Sequence, residues 1–581
     1  MKLTRPARDL SAALFIALTG QAACAVRPNP SPLPDPEPIE VGVVAPPGPY
    51  APGFDAVHYR VAVDLPADGA RIDARTDIVI ALLSPRQDTL RLDLTGLRVG
   101  EVRAAGSGET LREVPFYQAD GKLVLPVPEA LAGGDTLLVR VVYGGEPDDG
   151  LIVGDNVHGE RAAFGDNWPN RARFWFPSID HLSQKATVEF EVRAPEGWQA
   201  LANGRRTDSP AEPASPPPDG VWRYLMPEPI PPHLMVIGAT RFAVGMVDAC
   251  ADGGAARSRP DACVAITSWT FPPDSAHGMT VFRRAGEMLA YYSGLIGPYP
   301  YTKLAHAQSA TRFGGMENAG AIFYSQRGIA EGRDIEGTVA HETAHQWFGN
   351  AVTPRDWPHL WLSEGFATYY AALYFEHADG PDAFRERIDA ARRTYLESDV
   401  QDLAIVDTVN IPGNNLLELL NANSYQKGGL VLHMLRGLLA DDVFARGMRR
   451  YYARHLHGIA STSDLRAALE VESGLDLRWF FDQWVFSPGH PILDFDWRWD
   501  EQAGEAVVTV RQTQPANWPI FRLPTEIAFD TPSGEVRRDV ELRERTSTLR
   551  FAIPAQPTDA RLDPDAWLLY AWSADGEQPS G

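Results

Sequence analysis

Chemistry in this chain of 581 residues concentrates in His341-Glu342-Thr343-Ala344-His345 and in Glu364, nineteen positions after the second histidine. On an α-helix, positions i and i+4 share one face, so both imidazoles can point at a single site. Two neutral imidazoles and the Glu364 carboxylate make a zinc ligand set with a fourth position open, the pattern of catalytic rather than structural zinc. Zinc held this way stays net positive and draws the pKa of its water toward about 7. Glu342 is too close in sequence to the two histidines to be a further ligand with good geometry. It is expected to face the water as general base and then hand the proton to a leaving amine. These residues predict a zinc hydrolase with one Zn2+ per chain, whose attack on a carbonyl needs a further donor for the oxyanion. The bland alternative is two core or surface histidines on an ordinary helix, and Glu364 in a helical segment of its own weighs against it.

The elements that must position these groups are legible as patterns. A helix is expected over about 335–348, closed by Gly349, and a second helix carries Glu364 through Tyr374. Further helices are expected over 281–293, 383–396, 429–439, 443–455, 465–472 and 477–485. From His58 to Val247 the signals are β instead, with alternation at Val61, Val63 and Leu65 and at Val188, Phe190 and Val192. Residues 491–581 return to β, with alternation at Val508 and Val510 and at Phe551 and Ile553, a length suited to one small β-sandwich. No internal repeat is present. Such a length exceeds one core and implies several domains.

Composition narrows the partners. A formal net charge of −23 argues against nucleic acid and against docking on anionic lipid. Lys2, Arg5 and Arg8 precede an apolar run from Leu10 to Leu18, and small residues follow at Ala22, Ala23 and Ala25. That is the layout of a secretory signal peptide over residues 1–25, with an apolar run too short to span a bilayer. No transmembrane helix is expected elsewhere. A proline-rich stretch over 26–53 reads as a tether. Export makes a disulfide between Cys250 and Cys263 the expectation, against two free thiols. Cys24 is then either removed with the signal or retained as a lipid-modified first residue, although Gln21 stands where a lipobox usually has Leu. The expected location is the bacterial periplasm, as a soluble or lipid-anchored protein, or the medium.

Three ordered motifs carry a family resemblance. Gly314-Gly315-Met316-Glu317-Asn318, upstream of the metal helix, resembles the G-x-M-E-N exopeptidase motif of the aminopeptidase N family of zinc metallopeptidases (gluzincins), which also contains leukotriene-epoxide hydrolase. Tyr425-Gln426-Lys427-Gly428 resembles that family's Y-x-K-G segment, and the run from Arg173 through Asp180 resembles a segment of its amino-terminal β domain. Gly297-Pro298-Tyr299-Pro300-Tyr301 also fits. The resemblance implies a multidomain α+β protein: an N-terminal β-sheet domain over 54–270, a thermolysin-like, mainly helical catalytic domain over 271–490 and a β-sandwich over 491–581; the long C-terminal helical domain of many members is not expected here, a departure from the family pattern. It implies that Glu317 binds the substrate's free α-ammonium as a charge-assisted pair, and that Tyr425 donates to the oxyanion. Gly314 and Gly315 would let the backbone approach an extended peptide, flanked by Met316 and Asn318. The expected substrates are peptides with a free amino terminus.

This chain departs from the family pattern in places. The family's second amine-binding residue, a Gln or Glu just upstream of Arg173, is absent; Asp166, Asn167 and Asn170 are the candidates to replace it. Ser363 stands where Asn is common before the third ligand, and Ala371 where an acidic residue is frequent. His359, His433, His455 and His457 match no ligand spacing and read as core or surface residues. Two other functions share this pattern: epoxide hydrolysis at the same zinc, which requires a long lipid tunnel, and non-catalytic peptide binding, which would dispense with Glu342 or a ligand.

Overall fold

The computed structural model describes residues 50–83, 87–208, 215–248, 257–259, 262–407 and 415–573. The expected signal segment, nearly all of the proline-rich stretch, Cys24 and Cys250 lie outside the described residues, so the expected disulfide does too.

The chain is mixed α+β. Its amino-terminal part is built on an eight-stranded sheet in which Phe54–Asp64 runs antiparallel to Ile72–Leu82 and parallel to Ala186–Arg193. The alternation seen in sequence is the register seen in space: Tyr59, Val61 and Val63 lie opposite Val188, Phe190 and Val192, all buried on one face. One irregular segment behind this sheet is held by charge. The Arg173 guanidinium bonds Asp180 at 2.9 Å and reaches Asp93 at 3.4 Å, and Asp93 also accepts from Tyr50 at 2.8 Å. The 173–180 run is therefore a structural brace.

The next sheet has five strands in the order Ala243–Asp248, Ala265–Thr270, Lys303–Ser309, Ala321–Ser325, Gly315–Met316. The domain boundary expected at residue 270 runs through it. Its central strands, Lys303–Ser309 and Ala321–Ser325, fall between two expected helices, in a region expected to be mainly helical. They are buried along nearly their whole length, so they show no alternation. Gly315–Met316 is the edge strand, paired on one side only.

Helices then dominate. Those expected over 383–396, 429–439 and 443–455 form as Pro381–Leu396, Gly428–Leu439 and Asp441–His455. The helix expected over 281–293 forms as Ala285–Leu295, and a separate short helix, Ser275–Val281, precedes it. Trp361–Asp379 is buried from Trp361 to Phe375 on nearly all sides and ends at Gly380, whose φ of 97° precedes Pro381. The last region holds a four-stranded and a three-stranded sheet, whose Phe551 and Phe529 rings meet at 5.5 Å. His433 joins it to the helices, stacking on Trp567 at 4.7 Å. No helix among the described residues is long and apolar enough to cross a membrane.

Candidate active site

The metal helix spans Glu336–Ala344, with Ile335 as its N-cap and His345 continuing in helical conformation as its C-cap. It is tied to its surroundings by the Tyr292 hydroxyl, which donates to the Ala340 carbonyl at 3.0 Å and the Tyr370 carbonyl at 3.3 Å, so one side chain spans both ligand-bearing helices. The Trp347 indole donates to the Gly297 carbonyl at 2.8 Å. The Gly297–Tyr301 segment is thereby explained as a buttress for the end of this helix.

The three predicted ligands converge. His341 Nε2 and His345 Nε2 are 3.0 Å apart, and each lies near Glu364 Oε2, at 3.4 and 3.3 Å. Ligand atoms bonded to one tetrahedral zinc at about 2.0–2.1 Å stand about 3.3 Å from one another. Burial alone would raise the Glu364 carboxyl, but the facing imidazoles pull it down to about 2, so it is ionised as a ligand must be. Donor types and spacing both fit zinc.

His345 shows why its tautomer is right. Its Nδ1 lies 3.1 Å from the Phe348 carbonyl, a pure acceptor, so Nδ1 carries the proton and Nε2 is left bare to face the cation. Ser363 Oγ is 3.0 Å from the same nitrogen and accepts as well. This bond also explains why regular helix stops at Ala344 rather than running to Phe348. The chain tightens into shorter-range turns and swings the Phe348 carbonyl back onto the ring. Gly349, at φ 112°, makes that reversal; a Cβ there would sit 2.2 Å from Ser363 Oγ. Ser363→Ala should weaken zinc binding about tenfold in competitive titration against a chromophoric chelator. Unchanged affinity would leave Phe348 as the sole partner that matters.

Around the ligands stand two more buried carboxylates. Glu317, Glu342 and His345 present ligand atoms within 4.8 Å of one another. The Glu342 carboxylate lies directly against the backbone of Gly315, where a Cβ would meet Oε1 at 2.2 Å. Gly315 thus makes room for the Glu342 carboxylate, a role beyond the substrate approach read from sequence. Burial pushes Glu342 well above the ordinary carboxylate range, opposed by His345 and assisted by Glu317 and Glu364. Burial likewise raises Glu317 to about 7, again against the pull of His345. Among the described residues Glu317 forms no ion pair with Lys or Arg. Next to it, Asn318 is fully buried and neither atom of its side-chain amide has a partner.

Tyr425 sits in a π-helical turn, Asn423–Lys427, that feeds directly into Gly428–Leu439. Its ring stacks on His341 at 6.0 Å. Burial, then the charges of Glu364, Glu317 and Glu342, holds its hydroxyl well above the ordinary phenol range, so it remains a donor. The helix bearing Glu364 meets this turn bare backbone to bare backbone: a Cβ on Gly365 would stand 2.8 Å from Gly428 Cα.

Residues 282–484 match the Peptidase family M1 domain. The chain is 26% identical over 478 residues to glutamyl aminopeptidase of Sus scrofa, covering 76% of this chain and 48% of that protein. It is 25% identical to probable aminopeptidase 1 of Sulfurisphaera tokodaii, covering 70% of this chain and 50% of the relative. With aminopeptidase N of Streptomyces lividans it shares 27% identity, over 59% of this chain and 40% of the relative. The match supports the resemblance to the aminopeptidase N family over that part of the chain. The chain spans about half the length of the curated relatives it matches.

The second amine-binding Gln or Glu that the resemblance implies is absent, and the structure sorts the three candidates to replace it. Asp166 is consumed by Arg171 at 2.9 Å and the Thr311 hydroxyl at 3.0 Å. Asn167 donates to the carbonyls of Pro232 and Met235 and accepts from the Trp175 indole. Asn170 alone keeps both amide atoms unpaired, while buried. Of the histidines outside the ligand pattern, His359 lies 2.9 Å from Thr462 Oγ1, and His455 Nδ1 lies 3.2 Å from the Ile459 carbonyl.

Proposed function

We propose that this protein is a zinc-dependent aminopeptidase that hydrolyses the amino-terminal peptide bond of peptides. The observation that carries the reading is one buried cluster in which a zinc ligand set, the Glu342 carboxylate and the unpaired Glu317 carboxylate stand together. His341, His345 and Glu364 would hold zinc, which supplies Lewis-acid polarisation and acidifies a water when bound.

The remaining steps belong to the chain's own side chains. Glu317, buried and with no Lys or Arg partner among the described residues, gains most from a cation and takes the substrate's α-ammonium. Fixing that nitrogen near the ligands admits only the first peptide bond. The free edge of Gly315–Met316 offers backbone groups to an extended peptide, and the Asn318 amide offers a further pair. Glu342 takes a proton from the attacking water and delivers it to the leaving amine. The Tyr425 hydroxyl donates to the oxyanion.

The finer layout is part of this reading: a thermolysin-like catalytic domain between an N-terminal β domain and a β-sandwich. So is location. The charged, apolar and small-residue order of residues 1–25 supports export, with Cys24 either cleaved off or lipidated.

Aminoacyl-arylamides compared with their amino-terminally acetylated counterparts test the activity. Free-amine substrates should be preferred by about 10- to 100-fold in kcat/KM, the worth of a charge-assisted bond. Efficient cleavage of blocked substrates with none of the free ones overturns the reading.

A further inference from the structure

The position of Glu317 is set by side chains that follow the metal ligand His345. Gln346, one residue beyond it, reaches across to the exopeptidase loop and uses both ends of its amide: Nε2 donates to the Glu317 carbonyl at 2.9 Å, and Oε1 accepts from the Gly320 amide at 2.8 Å. Asn350 Nδ2 donates to the same Glu317 carbonyl at 2.6 Å. Both lone pairs of that one carbonyl are therefore occupied from the metal helix side. Gln346 and Asn350 are fully buried. The Asn350 peptide is itself held: its carbonyl accepts from Lys185 Nζ at 3.0 Å and from Thr353 Oγ1 at 2.8 Å. Lys185 also binds the carbonyls of Ala351 and Gly458, at 3.0 and 3.1 Å. The amine anchor and the second zinc ligand are thus linked by a short path of hydrogen bonds.

We propose that Gln346 and Asn350 are positioning residues that fix the reach from the amine anchor Glu317 to the metal ligands, and so set the selectivity for a free α-ammonium. The chemistry of the pair is specific. Gln346 must donate and accept at once, which an amide does and a carboxylate or thioether does not. A displacement of about 1 Å in a positioning group is enough to cost about a hundredfold. The inference rests on the aminopeptidase reading, and the test separates the two.

The test uses two hydroxamates that grip the metal identically: leucine hydroxamate, which carries the α-amine, and 4-methylpentanoyl hydroxamate, which lacks it. Inhibition constants are measured on the zinc-loaded full chain. Wild-type protein should prefer the amine-bearing compound by about 10- to 100-fold. In Gln346→Met and in Asn350→Ala that preference should fall to within about threefold, while the desamino compound binds as in wild type. If wild type shows no preference, the aminopeptidase reading fails. If wild type shows it and the folded variants keep it in full, the positioning role is overturned. Equal weakening of both inhibitors also overturns it, since a general structural defect does not distinguish them. Should Gln346→Met fail to accumulate, Asn350→Ala, which leaves the Gly320 contact in place, carries the test.

Discussion

Glu342→Gln should give a protein that still loads one zinc ion per chain but turns over about 10²–10⁴-fold more slowly. The substitution is nearly isosteric, and the site gives it no reason to rearrange. The side chain is buried against Gly315, in space that exists only because that residue lacks a Cβ. An amide there keeps the packing and can still hydrogen-bond, but it accepts no proton. The loss should fall on kcat, because Glu317 still anchors the ammonium and Gly315–Met316 still offers its edge. The measurement is kcat and KM on an aminoacyl-arylamide alongside elemental analysis of the same preparation. Turnover at the wild-type level with full zinc would remove Glu342 from the role of base.

Removing the cation should abolish turnover outright and lower stability. His345→Ala takes away a buried candidate ligand whose ring is held through Nδ1 by Phe348 and Ser363. Metal affinity should fall well beyond the roughly 10- to 100-fold that loss of a mere supporting contact costs. In wild type a chelator should do the same reversibly, with zinc restoring activity. The three carboxylates Glu317, Glu342 and Glu364 crowd one buried volume, and a divalent cation relieves their mutual repulsion. Binding to the folded state alone adds about 4 kcal/mol of stability at free zinc about a thousand times Kd. Thermal melts with and without chelator read this directly. A melting temperature indifferent to zinc would mean that the three ligand atoms do not act as one site.

How much of this was legible follows from where each interaction lies along the chain. His341 and His345 are one helical turn apart, so local periodicity alone aims them together. Glu364 is a separate helix away, yet its residue type and position within a helical pattern sufficed to nominate it. Val61, Val63, Val188, Phe190 and Val192 were readable because a sheet with one buried face alternates with period two.

Lys303–Ser309 and Ala321–Ser325 were not readable as strands, because burial on both faces erases the alternation that would mark them. The expected helix over 335–348 overran for a related reason: the signal that ends it is a backbone carbonyl turning to His345, and a carbonyl has no residue type. The candidates to replace the family's second amine-binding residue could be told apart only in space, where Asp166 and Asn167 are hydrogen-bonded and the Asn170 amide is not.

By itself the sequence nominated a donor set, a candidate base and a candidate amine anchor and determined the order of β and helical regions, since each is written in residue identity or short-range period. Only the tertiary structure decided the distances among them, the Ser363 and Phe348 contacts on His345, the Gly315 space behind Glu342 and the Gln346–Asn350 hold on Glu317. Those depend on which backbone atoms a long-range fold brings within about 3 Å of a side chain, and backbone atoms are the same at every residue.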